Sequence, residues 1–170
     1  MADNPDFESL VADYYRPLYQ FAFTLTRDEA DACDLTQQTF YIWANKGHQL
    51  REKSKVKTWL FTTLHREFLG SRRRQTRFPH IEVESIAGEL PVVNPPSVNR
   101  LDSGHLMAAL AKLDELYQAP VALFYLQDYS YGDIAEILDI PVGTVKSRLA
   151  RGIGRLHDLL TVVQPRPPCP

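Results

Sequence analysis

Tyr129–Arg155 reads YSYGDIAEILDIPVGTVKSRLARGIGR. The first part carries Ile134, Ala135, Ile137 and Leu138 at helical spacing, with Ser130 as N-cap and Asp133 three residues on. Asp139, Ile140 and Pro141 interrupt the stripe: Asp tolerates the left-handed conformation of a tight turn, and Pro141 suits the start of a new helix. In that second helix Val142, Val145, Leu149, Ile153 and Leu156 fall on one side, and Thr144, Ser147, Arg148 and Arg151 on the other, with Lys146 beside them. No acid lies between Val142 and His157. Short hydroxyls that permit close approach, beside bases that pair with guanine edges or phosphates, are what a major-groove helix requires. The stretch therefore predicts a DNA-reading helix-turn-helix.

Charge along the chain supports a nucleic-acid partner, although the net charge of −2 alone would not. Residues 1–34 hold eight acids and two bases, whereas residues 46–77 hold ten bases and two acids. Such segregation predicts separate faces for separate partners, with phosphate drawn to the basic ones. Cys33 and Cys169 match no CxxC or zinc spacing, and the five histidines form no metal-binding motif, so no metal or cofactor is expected. No signal segment and no apolar run of membrane-spanning length is found, which predicts a cytoplasmic chain without membrane insertion.

Periodicity predicts helices nearly throughout. Residues 5–27 carry a helical stripe that Pro17 is expected to kink or interrupt. In residues 29–46, Ala32, Leu35, Thr39, Ile42 and Trp43 are expected inward; Asp31, Asp34, Gln37, Gln38 and Tyr41 form a polar face with Phe40 at its edge. Residues 47–55 are a basic loop, and residues 56–74 are a helix with Val56, Trp59, Leu60, Leu64 and Phe68 inward and Lys57, Thr62, Arg66 and Arg72–Arg74 outward. A basic loop and helix with interleaved aromatics suits a single strand whose bases leave the stack. Four prolines between 78 and 103 predict an extended linker long enough to hold two units well apart. Two helices follow in 104–126, the second opened by Pro120. The expected architecture is all-α: a unit at 1–77, a linker at 78–103, a helix-turn-helix unit at 104–163 and a tail at 164–170.

These residues resemble the extracytoplasmic-function sigma factors, the minimal two-domain branch of the sigma-70 type. SYGDIAEILDIPVGTVKSRLAR (Ser130–Arg151) is similar to the family's region 4.2, DLTQQTF (Asp34–Phe40) to region 2.2 and TWL (Thr58–Leu60) to the start of region 2.4. The resemblance implies that Asp31, Asp34, Leu35, Gln37, Gln38 and Phe40 bind the beta-prime coiled coil of core RNA polymerase. It implies that His48, Arg51, Lys53, Lys55, Lys57, Trp59, Thr62 and Arg66 melt and read the minus-10 element. The minus-35 element falls to Lys146, Ser147, Ala150 and Arg151, with Thr144 and Arg148 on phosphates. The first part of the second unit would dock the beta flap, the linker acids would mimic nucleic acid, and an anti-sigma factor is an expected partner. Gln38 stands where the family usually has Glu, Arg66 where Asn is common, and Ala150 where some members carry an aromatic. The roles of these faces carry over; a promoter sequence does not.

Two rival readings differ in class. A stand-alone helix-turn-helix regulator would need a dimer seam or a ligand pocket, and residues 1–77 offer neither heptad nor pocket. An enzyme would need partners for Asp13, Asp28, Asp31 and Asp34, yet no histidine or nucleophile stands at a useful spacing, so no catalytic residue is expected.

Overall fold

The computed structural model describes residues 6–77 and 100–162; most of the expected linker and the 164–170 tail with Cys169 lie outside the described residues. Seven α-helices and two short 3₁₀ turns make up the described part: α1 Phe7–Thr26, α2 Glu29–Lys46, α3 Val56–Arg77, α4 Arg100–Lys112, α5 Glu115–Gln127, α6 Tyr131–Leu138 and α7 Val142–Val162. The 3₁₀ turns, Gly47–Gln49 and Lys53–Lys55, occupy the basic loop between α2 and α3.

Helix α1 runs unbroken through Pro17, contrary to the interruption expected there. One missing backbone bond costs a helix about 3 kcal/mol, and burial of Leu10, Leu18, Phe21, Ala22 and Leu25 on both sides of the proline outweighs it. The helix ends at Arg27 in the left-handed region (φ 59°), whose N–H bonds to Phe23 O at 2.8 Å. Asp28 then caps α2, accepting from the Asp31 N–H at 2.9 Å. Thr24, Thr36 and Thr39 are fully buried, and each hydroxyl donates to the carbonyl four residues back, so no polar atom there is left bare.

Two boundaries differ from the sequence expectation. Helix α4 begins at Arg100 rather than beyond 103, and α5 begins at Glu115, which leaves Pro120 inside it. Leu116 is half exposed at the start of α5. The reason lies in α5 itself, where every residue from Tyr117 to Leu123 is buried. A helix apolar all round tolerates one lost backbone bond because burial on every side holds it in place. The amide of Gln118 donates to the carbonyls of Leu110 (3.5 Å) and Ala111 (3.2 Å), and so satisfies the C-terminal end of α4.

The linker has the length to hold the two units apart, but in the structure they pack together. Helix α5 packs against α1 as well as α7 and α6, α6 packs on α3, and buried residues of both sequence units form a single core cluster. Polar contacts cross the same seam: the Arg27 guanidinium donates to Leu113 O at 2.7 Å, Lys57 Nζ to Gln127 O at 3.3 Å, and Arg72 pairs with Glu115.

Gly152 marks a close approach of α7 to α5, since a Cβ there would lie 2.6 Å from Val121 Cγ2 and 3.0 Å from Tyr117 Cβ. Gly154 has nothing within 4 Å of that position. Gly154→Ala should therefore stabilise the fold by about 0.5–1 kcal/mol through helix propensity. Gly152→Ala should destabilise it by roughly 1–2 kcal/mol, overpacking outweighing the same gain. Urea unfolding of the two variants checks the opposed signs.

His65, half-buried on α3, has its imidazole held down at about 4 by burial, against an ordinary 6.5. The folded chain keeps it neutral while the unfolded chain takes up a proton below pH 6.5. Stability is then fully present above 6.5 and falls as the pH drops toward 4. Between pH 7 and 5 the wild type should lose roughly 1–2 kcal/mol more than His65→Gln, measured by denaturant unfolding at both pH values.

Candidate nucleic-acid interface

The turn between α6 and α7 is built as the sequence requires. The Ser130 hydroxyl accepts from the Asp133 N–H at 3.2 Å, and Asp139 is left-handed at φ 54°. Ile140 N bonds to Ala135 O at 3.1 Å, and the amides of Thr144 and Val145 bond to Pro141 O at 3.0 and 3.1 Å. Val145, Leu149 and Leu156 are buried and Ile153 is half-buried, whereas Val142, expected with them, is 43% exposed. Val142 sits in the first turn of α7, before the helix reaches the core.

This seating turns one face of α7 outward. Lys146, Ser147, Ala150 and Arg151 are exposed, and Thr144 and Arg148 are half-buried. The Ser147 hydroxyl donates to Thr144 O at 3.1 Å, which leaves its lone pairs outward. Arg148 lines a cleft of about 900 Å³ between α3 and α5, together with Phe68, Leu69, Arg72, Arg77 and Leu116.

A second basic surface surrounds the α2–α3 loop. Gly47 lies against Trp43 so closely that a Cβ would be 2.5 Å from its ring, and Trp43 meets Trp59 edge to face at 5.1 Å. The paired indoles anchor the loop at both ends and leave His48, Arg51, Lys53 and Lys55 exposed. Lys55 lies 3.5 Å from Glu52, an exposed pair of little energetic weight. On α3, Arg66 is exposed, while Lys57, Trp59 and Thr62 are half-buried. The structure thus divides the expected minus-10 residues into five that face solvent and three that are partly covered.

The polar face of α2 exposes Asp31, Asp34, Gln37 and Gln38, with Leu35 half-buried. Burial, then Asp28 and Asp34, raise the Asp31 carboxyl above its ordinary range. With Asp28 and Asp34 beside it, this end of α2 is locally acidic and suits a basic partner. Phe40 does not join this face. It is 5% exposed, stacked on Tyr15 at 6.3 Å and edge to face with Phe7 at 6.4 Å. The outward aromatic is Tyr41, 66% exposed. Its place four residues after Gln37 and three after Gln38 was the signal that set it on the same face. Cys33 is half-buried with Sγ 3.8 Å from the Tyr15 hydroxyl. That phenol is pushed up to about 12, by burial first and by Cys33 second. Among the described residues no cluster of metal-ligating side chains occurs and no helix is long and apolar enough to cross a membrane.

Comparison with known proteins follows the same division. The family description "Sigma-70 region 2" matches residues 10–78, and "Sigma-70, region 4" matches residues 104–156. The RNA polymerase sigma factor YlaC of Bacillus subtilis is 29% identical over 155 residues, 89% of this chain and 90% of that one. The ECF RNA polymerase sigma factor EcfG of Rhodopseudomonas palustris is 31% identical over 148 residues, 85% of this chain and 80% of its own. Among solved structures, the sigma factor RpoE in complex with the anti-sigma factor NepR, from Bartonella quintana, is similar with a TM-score of 0.74. It is 30% identical, over 94% of this chain and 99% of that one.

The two aromatics of α2 separate by stability. Phe40→Ala should cost roughly 3–5 kcal/mol through the cavity it leaves, and Tyr41→Ala should stay within about 0.5 kcal/mol of wild type. Thermal unfolding of the two variants tests the assignment.

Proposed function

The chain belongs to the extracytoplasmic-function sigma factors of the sigma-70 family, and from that premise we propose how its surfaces divide the work of transcription initiation. It binds core RNA polymerase and directs it to promoters, and a stand-alone regulator is set aside because both sigma regions match. The observation that carries the residue assignment is the pairing of two basic surfaces, one on α7 and one around the α2–α3 loop.

Region 2 comprises residues 1–77 and region 4 runs from about 104, or the start of α4, to 163, with 78–103 as linker and 164–170 as tail. Lys146, Ser147, Ala150 and Arg151 read the minus-35 element in the major groove, and Thr144 and Arg148 hold phosphates. Arg151 and Lys146 are the exposed donors long enough for base edges, while Ala150 leaves room for a thymine methyl. His48, Arg51, Lys53 and Lys55 hold the backbone of the minus-10 strand, and Lys57, Trp59, Thr62 and Arg66 meet its bases. Unstacking a base costs a few kcal/mol, offset by stacking on an aromatic and by phosphate contacts. Tethering of both regions to polymerase raises their effective concentration on one promoter.

Asp31, Asp34, Leu35, Gln37 and Gln38 face the beta-prime coiled coil, with Tyr41 in the place first given to Phe40. The start of region 4 meets the beta flap. An anti-sigma factor is the expected antagonist: the RpoE relative is bound to one, and the cleft beside Arg148 offers an apolar floor with an arginine rim. The chain acts in the cytoplasm with polymerase, as a non-enzymatic initiation factor.

In vitro transcription with bacterial core polymerase on a genomic promoter library tests the function. Start sites that require the chain are expected; their absence, with tight duplex binding by the chain alone, would overturn it. Arg151→Ala should weaken promoter recognition by roughly 1–3 kcal/mol and relax specificity at one position. An equal loss on every sequence would make Arg151 a phosphate contact.

A further inference from the structure

The cleft of about 900 Å³ between α3 and α5 has an apolar floor and a cationic rim. Leu25, Ala119, Pro120 and Leu138 in its lining are buried, and Phe68 is half-buried. Leu69 on α3 and Leu116 on α5 also line it, yet they are 39% and 50% exposed. The fold thus leaves a large apolar side chain open to water on each of the two helices. Arg72, Arg73, Arg77 and Arg148 stand around the same space, against one acid, Glu115. Glu115 pairs with Arg72, and among the described residues Arg73, Arg77 and Arg148 form no ion pair. Arg148 is the half-buried one of the four, so a charge placed on it is less screened by water than on the others.

Charge and polarity together select the occupant. Unpaired guanidinium groups above an apolar floor are complementary to a molecule with one anionic end and an apolar body. Acceptors are scarce in the lining. The Glu115 carboxylate is held by Arg72, and the Gln118 amide nitrogen is spent on the carbonyls of Leu110 and Ala111. His65, kept neutral because burial holds it at about 4, offers one acceptor nitrogen and no charge. A nucleobase presents donors as well as acceptors and would leave its donors unmatched here. An alkyl chain asks only for apolar surface. The volume lies within the range of roughly 300–1,000 Å³ found for small-molecule sites.

We propose that this cleft binds a long-chain fatty acid, its carboxylate on Arg148 and its chain along Phe68, Leu69 and Leu116. Binding covers the two leucines that the fold leaves open and gives Arg148 the anion it lacks. The planar guanidinium offers the carboxylate two parallel N–H donors, a geometry that a lysine would not supply. The site stands on the cleft alone, while one consequence rests on the sigma-factor reading. An Arg148 held by a carboxylate is withheld from a DNA phosphate. Fatty acid and duplex then oppose one another, each weakening the other by the same factor.

Equilibrium dialysis of the full chain against radiolabelled hexadecanoate, kept below its micelle threshold, tests the site. Saturable uptake of one molecule per chain is expected. Hexadecyltrimethylammonium, with the same chain and a cationic head, should bind at least about tenfold more weakly. Arg148→Gln should weaken hexadecanoate by about the same factor. Leu116→Glu sets a carboxylate on the exposed wall and should abolish uptake, with thermal unfolding unchanged because the position is half exposed. Non-saturable uptake, uptake that neither variant alters, or equal binding of the cationic amphiphile would mark adsorption to apolar surface and overturn the proposal. Saturating hexadecanoate should also lower the affinity of the chain for duplex DNA of any sequence. Saturable uptake that is lost in Arg148→Gln but leaves duplex affinity unchanged would overturn the phosphate role given to Arg148, with the fatty-acid site upheld.

Discussion

Helix α5 has no side left for water between Tyr117 and Leu123. That constraint sets the rest of the arrangement. Helices α1, α4, α6 and α7 each pack on it, and α1 comes from the other end of the sequence. Burial of a helix all round gives the chain one core through both regions, although each region carries its own basic surface. The close approach at Gly152 brings α7 against α5 and fixes which side of α7 faces away. The outward basic face of α7, proposed to read DNA, is thus a consequence of how α5 is covered.

Much of this was legible in the sequence, and the reasons are local. Ser130, Asp139 and Pro141 specify a cap, a left-handed turn and a helix start through chemistry that acts over three or four residues. The basic loop and the acid-free face of α7 were readable because charge patterning needs no tertiary information. The family resemblance suggested roles for these faces, and the descriptions of both sigma regions match the chain.

What the sequence did not disclose depends on distant packing. Phe40 and Tyr41 are adjacent, and periodicity placed Phe40 at the edge of the polar face. Only contact with Phe7 and Tyr15 on α1 settles that Phe40 goes in and Tyr41 out. Pro17 read as an interruption and Pro120 as a helix start because local propensity disfavours proline inside a helix, but both sit within helices stabilised by long-range burial. The seam between the regions was invisible for the same reason. Nothing in the spacing of Lys57, Phe61 and Tyr129 announces that they meet.

The claim most open to direct measurement is that the two regions share one core in the free chain. A pair of spin labels at exposed Ala12→Cys and His157→Cys, with Cys33 and Cys169 changed to Ser, would measure it by pulsed dipolar spectroscopy. One short distance distribution is predicted for the chain alone. A distribution that is broad and long in the free chain would contradict it.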